Sequence, residues 1–380
     1  MIAPETFFNI LNDQGIDFYT GVPDSLLKDF CAFITDHIPS EKHVIASNEG
    51  NAVALAIGWY LGTGRIPLVY MQNSGIGNAI NPIASLADNE VYGFPMLLLI
   101  GWRGEPGKKD EPQHIKQGRI MIALLDSLEL PWFLLTSENK DADSLVKNAC
   151  TIAKKRNTPV VLLVQSGCFE HYKLKGELIT NYEMNREQAI QRIISQLCTD
   201  DLVVSTTGKT SRELFEFRVS HNQGHDQDFL TVGGMGHTSS ISMGLARAQI
   251  NRKIICLDGD GSVLMHMGSL AIIGQSGVKN ILHIVINNGA HDSVGGQPTV
   301  GFGIDLAGIA HSCGYKFVRS VKDADALDKA MSELLCCEGP SLLEVKANKG
   351  ARIELGRPTS TPKENKEALM HYIGIIEQEQ

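Results

Sequence analysis

Twelve short apolar runs punctuate the chain, separated by stretches whose apolar residues recur at helical spacing. In the first half the runs are 16–22 (IDFYTGV), 43–47 (HVIAS), 67–72 (PLVYMQ), 96–101 (MLLLIG), 132–136 (WFLLT) and 159–165 (PVVLLVQ). They lack polar alternation, which predicts parallel strands covered on both faces. Stretches such as 25–34 (SLLKDFCAFI) and 51–62 (NAVALAIGWYLG) predict the intervening helices. Residues 169–186 are polar, mixed and poorly periodic, and they predict a linker. The pattern then restarts with 201–206 (DLVVST), 228–232 (DFLTV), 253–258 (KIICLD), 281–286 (ILHIVI), 316–320 (KFVRS) and 341–347 (SLLEVKA). After Gly356 the tail reads as a turn followed by a terminal helix. The expectation is an α/β protein of two similar domains, 1–168 and 187–380, each a parallel sheet flanked by helices.

Composition narrows the function classes. The chain has 380 residues, 43% of them hydrophobic, enough for two or three domains with substantial cores. A net charge of −9 argues against nucleic acid or an anionic membrane as partner. The eight cysteines form no CxxC and no His/Cys metal spacing along the sequence, and most lie in apolar runs. Buried free thiols in a reducing, cytoplasmic setting are expected. Pro4, Glu5 and Asp13 interrupt the apolar start, so no secretory leader is expected. No run approaches the ~18 apolar residues of a membrane span.

The candidate chemistry begins with Gly259-Asp260-Gly261, followed after twenty-five residues by Asn287-Asn288. Both halves of this pattern follow an apolar run, so two strand ends deliver a carboxylate and a carboxamide to one sheet edge. Oxygen donors of this kind suit Mg²⁺ shared with phosphate and water. Gly261 and Ser262 can offer main-chain N–H groups to phosphate at a helix start. Each half alone also reads as an ordinary turn. Glu49 stands at the start of a small-residue helix, where the helix dipole alone would favour an acid. Asp24 precedes an amphipathic stretch and reads equally as a helix N-cap. His114, His291 and Asp292 are candidate proton-handling groups, with a surface or loop position as the plain alternative. An anionic substrate would need local positive charge, for which Lys108, Lys109, Lys209, Arg212, Arg352 and Arg357 are available. Two partial motifs fail. Gly208-Lys209-Thr210 has Val203 where a P-loop needs glycine, and Gly75-Ile76-Gly77 has Ile80 where a dinucleotide fingerprint needs its third glycine.

Taken together, these segments resemble the thiamine diphosphate-dependent decarboxylases along nearly the whole chain. The carrying motifs are Gly21-Val22-Pro23, Glu49, Asn73-Ser74-Gly75-Ile76-Gly77-Asn78, Gly233-Gly234-Met235-Gly236-His237, Gly259-Asp260-Gly261 and Asn287-Asn288. The resemblance implies two thiamine diphosphate-binding-fold domains, a pyrimidine domain first and a diphosphate domain second. It implies that Glu49 engages the aminopyrimidine, that Asn73 and Gly234 contact the cofactor, and that Met235 wedges it into a bent shape. Asp260, Asn288 and the Ala290 carbonyl would hold Mg²⁺. Thr207, Gly208, Gly259, Gly261, Ser262 and Ser293 would line the diphosphate, and Asp24 would be an active-site acid. Residues 104–114 (GEPGKKDEPQH) and 287–299 (NNGAHDSVGGQPT) resemble the short branch acting on 2-oxo acids with a distal phosphonate or sulfonate. Val294 stands where pyruvate-decarboxylating members carry a glutamate, so proton handling must use other groups. A homo-oligomer, dimer or larger, with active sites at subunit interfaces is implied as well. A scaffold that has lost activity is disfavoured by the intact Glu49, Asp260 and Asn288.

Overall fold

The computed structural model describes residues 1–138, 141–176 and 179–376. Residues 177 and 178 of the expected linker and the last four of the chain lie outside the described residues. The chain divides into two compact units, Met1–Glu177 with Val294–Gln297, and Leu178–Ser293 with Pro298–Gln380. Each unit contains one six-stranded parallel sheet.

All twelve apolar runs contain a strand. In the first unit these are β1 (Tyr19–Gly21), β2 (His43–Ile45), β3 (Leu68–Gln72), β4 (Met96–Gly101), β5 (Trp132–Leu135) and β6 (Pro159–Val164), in the order β2-β1-β3-β4-β6-β5. In the second they are β7 (Leu202–Ser205), β8 (Asp228–Leu230), β9 (Ile254–Gly259), β10 (Ile281–Asn287), β11 (Phe317–Val321) and β12 (Ser341–Lys346), in the order β11-β12-β10-β9-β7-β8. The two orders are the same when the second sheet is renumbered from its first strand. The similar rhythm of the two halves therefore reflects one repeated topology.

Burial explains the continuous apolar runs. Along β4, Leu97 and Leu99 join one core while Leu98 and Ile100 join the core on the opposite face. Likewise Ile255 and Leu257 of β9 face one core of the second unit, and Ile254 faces the other. With helices on both faces, neither register position of a central strand tolerates a polar side chain unless it is paired.

The helix expected from residue 25 starts at Lys28, after a turn through 25–27, so Asp24 is not its N-cap. The helix Glu49–Thr63 is capped by Asn48, whose side chain accepts from the Asn51 main-chain N–H, with Glu49 in its first turn. Between Val164 and Arg186 the described residues form isolated bridges at Phe169 and Asn185 and no longer element. The terminal helix spans Pro362–Tyr372 and carries a capping box at Thr361 and Glu364. The cysteines only partly follow expectation. Cys31, Cys150, Cys168 and Cys256 are buried, but Cys198 and Cys336 are exposed.

Candidate active site

In an open doubly wound sheet, ligands bind beyond the carboxyl ends of the strands, where the winding direction reverses. In the second unit that point lies between β7 and β9. Thr206, just past β7, donates its hydroxyl to Ser262 Oγ at 3.2 Å, and Ser262 Oγ also accepts the Gly236 N–H at 3.2 Å. Ser262 thus joins three loops. Gly208 turns with φ +96°, and a Cβ there would fall 2.7 Å from Ser293 Oγ. That hydroxyl accepts the Lys209 N–H at 3.3 Å. Thr207 is half-buried beside this turn. Four of the residues expected around a diphosphate therefore lie around one strand-end cradle.

Asp260 opens the short helix Asp260–Met265 directly after β9 and is 3% exposed. Burial raises its carboxyl to about 6, against the opposing pull of the Thr299 hydroxyl and the main-chain N–H groups of Asn288 and Gly261. Thr299 donates to Asp260 Oδ2. Asn288 follows β10, which pairs with β9, and its Oδ1 accepts the Ala290 N–H at 3.2 Å. Asn287 has a different task. Its amide donates to the Gly301 carbonyl at 2.8 Å and to Glu344 Oε1 at 2.7 Å, which fixes the returning loop. A Cβ on Gly301 would lie 2.7 Å from Asp260 Oδ2, so glycine is required for that loop to pass the carboxylate. Over Gly261 stand His291 and Met235, 3.2 and 3.3 Å from where its Cβ would be. Burial holds the His291 imidazole down at about 4.

Asp292 is positioned otherwise than its expected proton-handling role requires. Arg186 Nη1 donates to its Oδ2 at 2.7 Å, and Lys209 Nζ lies 3.4 Å from Oδ1. Arg186 is itself clamped by both oxygens of Glu213 at 2.7 Å. The net effect of the two cations and the Gly350 N–H is to hold Asp292 below the usual carboxylate range despite its burial. It is a fixed anion in an ion network and has no proton to give near neutrality.

The first unit gathers a second set of groups at its strand ends. Glu49 is 5% exposed, and its Oε2 accepts from Asn78 Nδ2 at 2.8 Å. Burial raises its carboxyl above the ordinary glutamate value, with Asn78 acting in the opposite direction. Gly75 makes this placement possible, because a Cβ there would sit 2.2 Å from Glu49 Oε1. Asp24 is fully buried. It accepts from Gln72 Nε2 at 2.7 Å and from the Leu26 N–H at 2.9 Å, yet burial still raises its pKa. A Cβ on Gly101 would fall 2.2 Å from Asp24 Oδ2. Asn73 has its side chain engaged by Arg103, donating to its carbonyl at 2.9 Å and accepting its N–H at 3.2 Å.

His114 is buried in the helix Pro112–Ser127, not on the surface. Its Nδ1 has no hydrogen-bond partner, and burial with the nearby Arg103 charge holds the ring at about 4. Gly104 and Gly118 let the loop and this helix meet backbone to backbone, since a Cβ on Gly104 would lie 1.9 Å from the His114 carbonyl oxygen. Sequence reading missed the clasp beneath it. Arg103 pairs with Asp110 through Nε at 2.8 Å and through Nη2, and its Nη1 reaches Ser25 Oγ at 2.6 Å. No spacing rule marks an Arg and an Asp seven apart across an irregular loop. Thr299 was equally invisible, because its role depends on where its loop returns.

Of the basic candidates, Lys108 pairs with Glu105 at 2.6 Å, and Arg352 is held by Glu187 and Glu216. Among the described residues, Lys109 and Arg212 have no acidic partner, and Arg212 is half-buried.

Known proteins resemble the chain along most of its length. Residues 1–125 match the thiamine pyrophosphate enzyme N-terminal TPP binding domain, and residues 206–345 match the C-terminal TPP binding domain. A phosphonopyruvate decarboxylase of Streptomyces viridochromogenes is 34% identical across 93% of this chain and 90% of its own. One from Streptomyces hygroscopicus is 34% identical across 96% and 92%. A sulfopyruvate decarboxylase of Methanosarcina acetivorans is 27% identical across 90% of each chain. With both binding domains present and similarity running nearly end to end, the chain belongs to the thiamine pyrophosphate-dependent decarboxylases, close to the phosphonopyruvate decarboxylases.

Proposed function

We propose that this enzyme decarboxylates 3-phosphonopyruvate to phosphonoacetaldehyde and CO₂, using thiamine diphosphate and Mg²⁺, as a step of phosphonate biosynthesis in the cytoplasm. The observation that carries the reading is the buried oxygen-donor set around Asp260 in a chain this similar to phosphonopyruvate decarboxylases. A carboxylate 3% exposed, with no basic partner among the described residues, is costly to ionise, and a divalent ion would compensate it. The donors fit Mg²⁺: the Asp260 carboxylate, the Asn288 carboxamide and the Ala290 carbonyl are all hard oxygens. Thr207, Gly208, Ser262 and Ser293 surround the adjoining cradle and would take the diphosphate, with Gly234, Met235, Gly259 and Gly261 giving it room. Glu49 and Asn73 would serve the pyrimidine end from the first unit.

When bound, thiamine diphosphate supplies the electron sink for the leaving carboxylate. The chain's own residues do the rest. Glu49, whose acid is raised by burial, can hold a proton at a carboxyl oxygen beside the cofactor's ring. Asp24 is a second buried acid of the same kind. His114 and His291 are neutral at physiological pH, so each ring offers one donor and one acceptor nitrogen. The substrate loses CO₂ and takes one proton at the carbon that carried it, and its C–P bond is untouched. Among the described basic candidates, Lys109 and Arg212 have no carboxylate partner, and we assign them to anion recognition.

A homo-oligomer follows from the same reading, with Glu49 of one subunit serving the Asp260 motif of another. Steady-state comparison of phosphonopyruvate, sulfopyruvate and pyruvate tests the substrate. A site with desolvated cations awaiting a distal anion rejects pyruvate by roughly 10⁴-fold in kcat/KM. Equal efficiency on pyruvate overturns the phosphonate assignment, and preference for sulfopyruvate transfers it to the sulfonate.

A further inference from the structure

The second unit holds another set of ligand-type side chains that the decarboxylation does not use. Cys256 and Asp258 project from the same face of β9, being two residues apart in a strand. His283 lies on the adjacent β10, opposite Cys256 in the parallel register. One ligand atom from each lies within 4.8 Å of the others. All are out of solvent, with Cys256 and His283 0% and Asp258 1% exposed. His283 Nε2 faces Asp258 Oδ2 at 3.4 Å, an ion-pair contact without hydrogen-bond geometry. The outward atoms, by contrast, are held. His283 Nδ1 is 3.2 Å from the Tyr315 hydroxyl, and Asp258 Oδ1 accepts the Gly259 N–H at 2.9 Å. Anchored outer atoms with the inner atoms turned toward one point are the arrangement that orients metal ligands.

We propose that Cys256, Asp258 and His283 bind one divalent ion of the zinc class. Thiolate, carboxylate and imidazole together form a zinc-type donor set, whereas a thiolate is foreign to Mg²⁺. A thiolate and a carboxylate in the set would together balance the charge of a divalent ion. Three protein ligands leave one tetrahedral position for water. Complete burial makes the role structural. The ion ties β9 to β10, the two strands whose ends present Asp260 and Asn288. The sequence hides the site because Cys256-x-Asp258 and His283 follow no known ligand spacing and meet only through strand pairing.

Full-length protein produced with added Zn²⁺ or Co²⁺, purified without chelator and dialysed against Mg²⁺ and thiamine diphosphate, tests this. Elemental analysis should find about one zinc or cobalt per chain, and the cobalt form should show near-ultraviolet thiolate-to-metal charge-transfer bands. Cys256→Ala should lose the bands and at least tenfold of the metal, while Asp260→Asn keeps both. A cobalt protein without charge-transfer bands, or metal below about a tenth per chain, overturns the proposal and leaves an Asp258–His283 ion pair alone. Metal kept in Cys256→Ala but lost in Asp260→Asn overturns it too, since the ion then belongs to the strand-end motif. If Cys256→Ala does not fold, Cys256→Ser takes its place, and a Cys198→Ser, Cys336→Ser, Cys337→Ser protein must keep the bands, their loss there overturning the proposal.

Discussion

Gly75→Ala tests the placement of Glu49 without altering any charge. The added Cβ would lie 2.2 Å from Oε1, 2.5 Å from Cδ and 2.6 Å from Cγ of Glu49. Ordinary contact begins at 3.4 Å, so the carboxylate must retreat by about 1.2 Å, which is 3.4 minus 2.2. The 2.8 Å bond from Asn78 does not survive such a move unbroken. Gly75 lies in a helical turn with negative φ, so alanine costs nothing in backbone conformation. Overpacking should lower stability by about 1–3 kcal/mol. Turnover should fall much further, on the order of 10²-fold, because a displacement near 1 Å at a reacting group carries that penalty. The assay is kcat with saturating thiamine diphosphate and Mg²⁺, alongside thermal unfolding to establish that the variant is folded. A folded Gly75→Ala enzyme with kcat within twofold of wild type refutes the argument that the position of Glu49 controls the reaction.

Asp260→Asn should abolish thiamine diphosphate binding in calorimetric titration with Mg²⁺, and unchanged affinity would show the carboxylate to be no ligand. In the apo protein the same change should stabilise the fold at pH 8 by up to about 3 kcal/mol, because a carboxyl raised from 3.8 to about 6 costs stability once ionised. His114→Gln should flatten the acid loss of stability between pH 6.5 and 4. The native ring titrates at about 4 and the unfolded one near 6.5, so only the unfolded state gains a proton in that window; an unchanged slope contradicts the burial argument. Glu49→Gln should lose on the order of 10²-fold in kcat. Mixed with Asp260→Asn under conditions of verified subunit exchange, it should regain partial activity, whereas an active monomer in light scattering rules out shared sites.

The sequence by itself determined the twelve strands, the two-unit α/β class and the strand-end positions of Asp260 and Asn288. It could do so because parallel strands covered on both faces must be continuously apolar, and the polar residues that end them are visible by contrast. It also singled out Glu49 and Asp24 but left each with a capping alternative. Tertiary structure removed the alternative for Asp24, because the helix after it begins at Lys28, while Glu49 keeps its place in the first turn of a helix that Asn48 caps. It also decided roles that depend on partners distant in the chain. Asp292 looked like a proton carrier until Arg186, 106 residues earlier, proved to hold it as an anion. For His114 a surface position was the plain alternative, and the backbone-to-backbone contact at Gly104 and Gly118 buries it instead. Cys256, Asp258 and His283 became neighbours only through the pairing of β9 with β10. Periodicity and motif spacing report local, repeated constraints, whereas burial and charge pairing arise between segments whose separation in sequence carries no information about their separation in space.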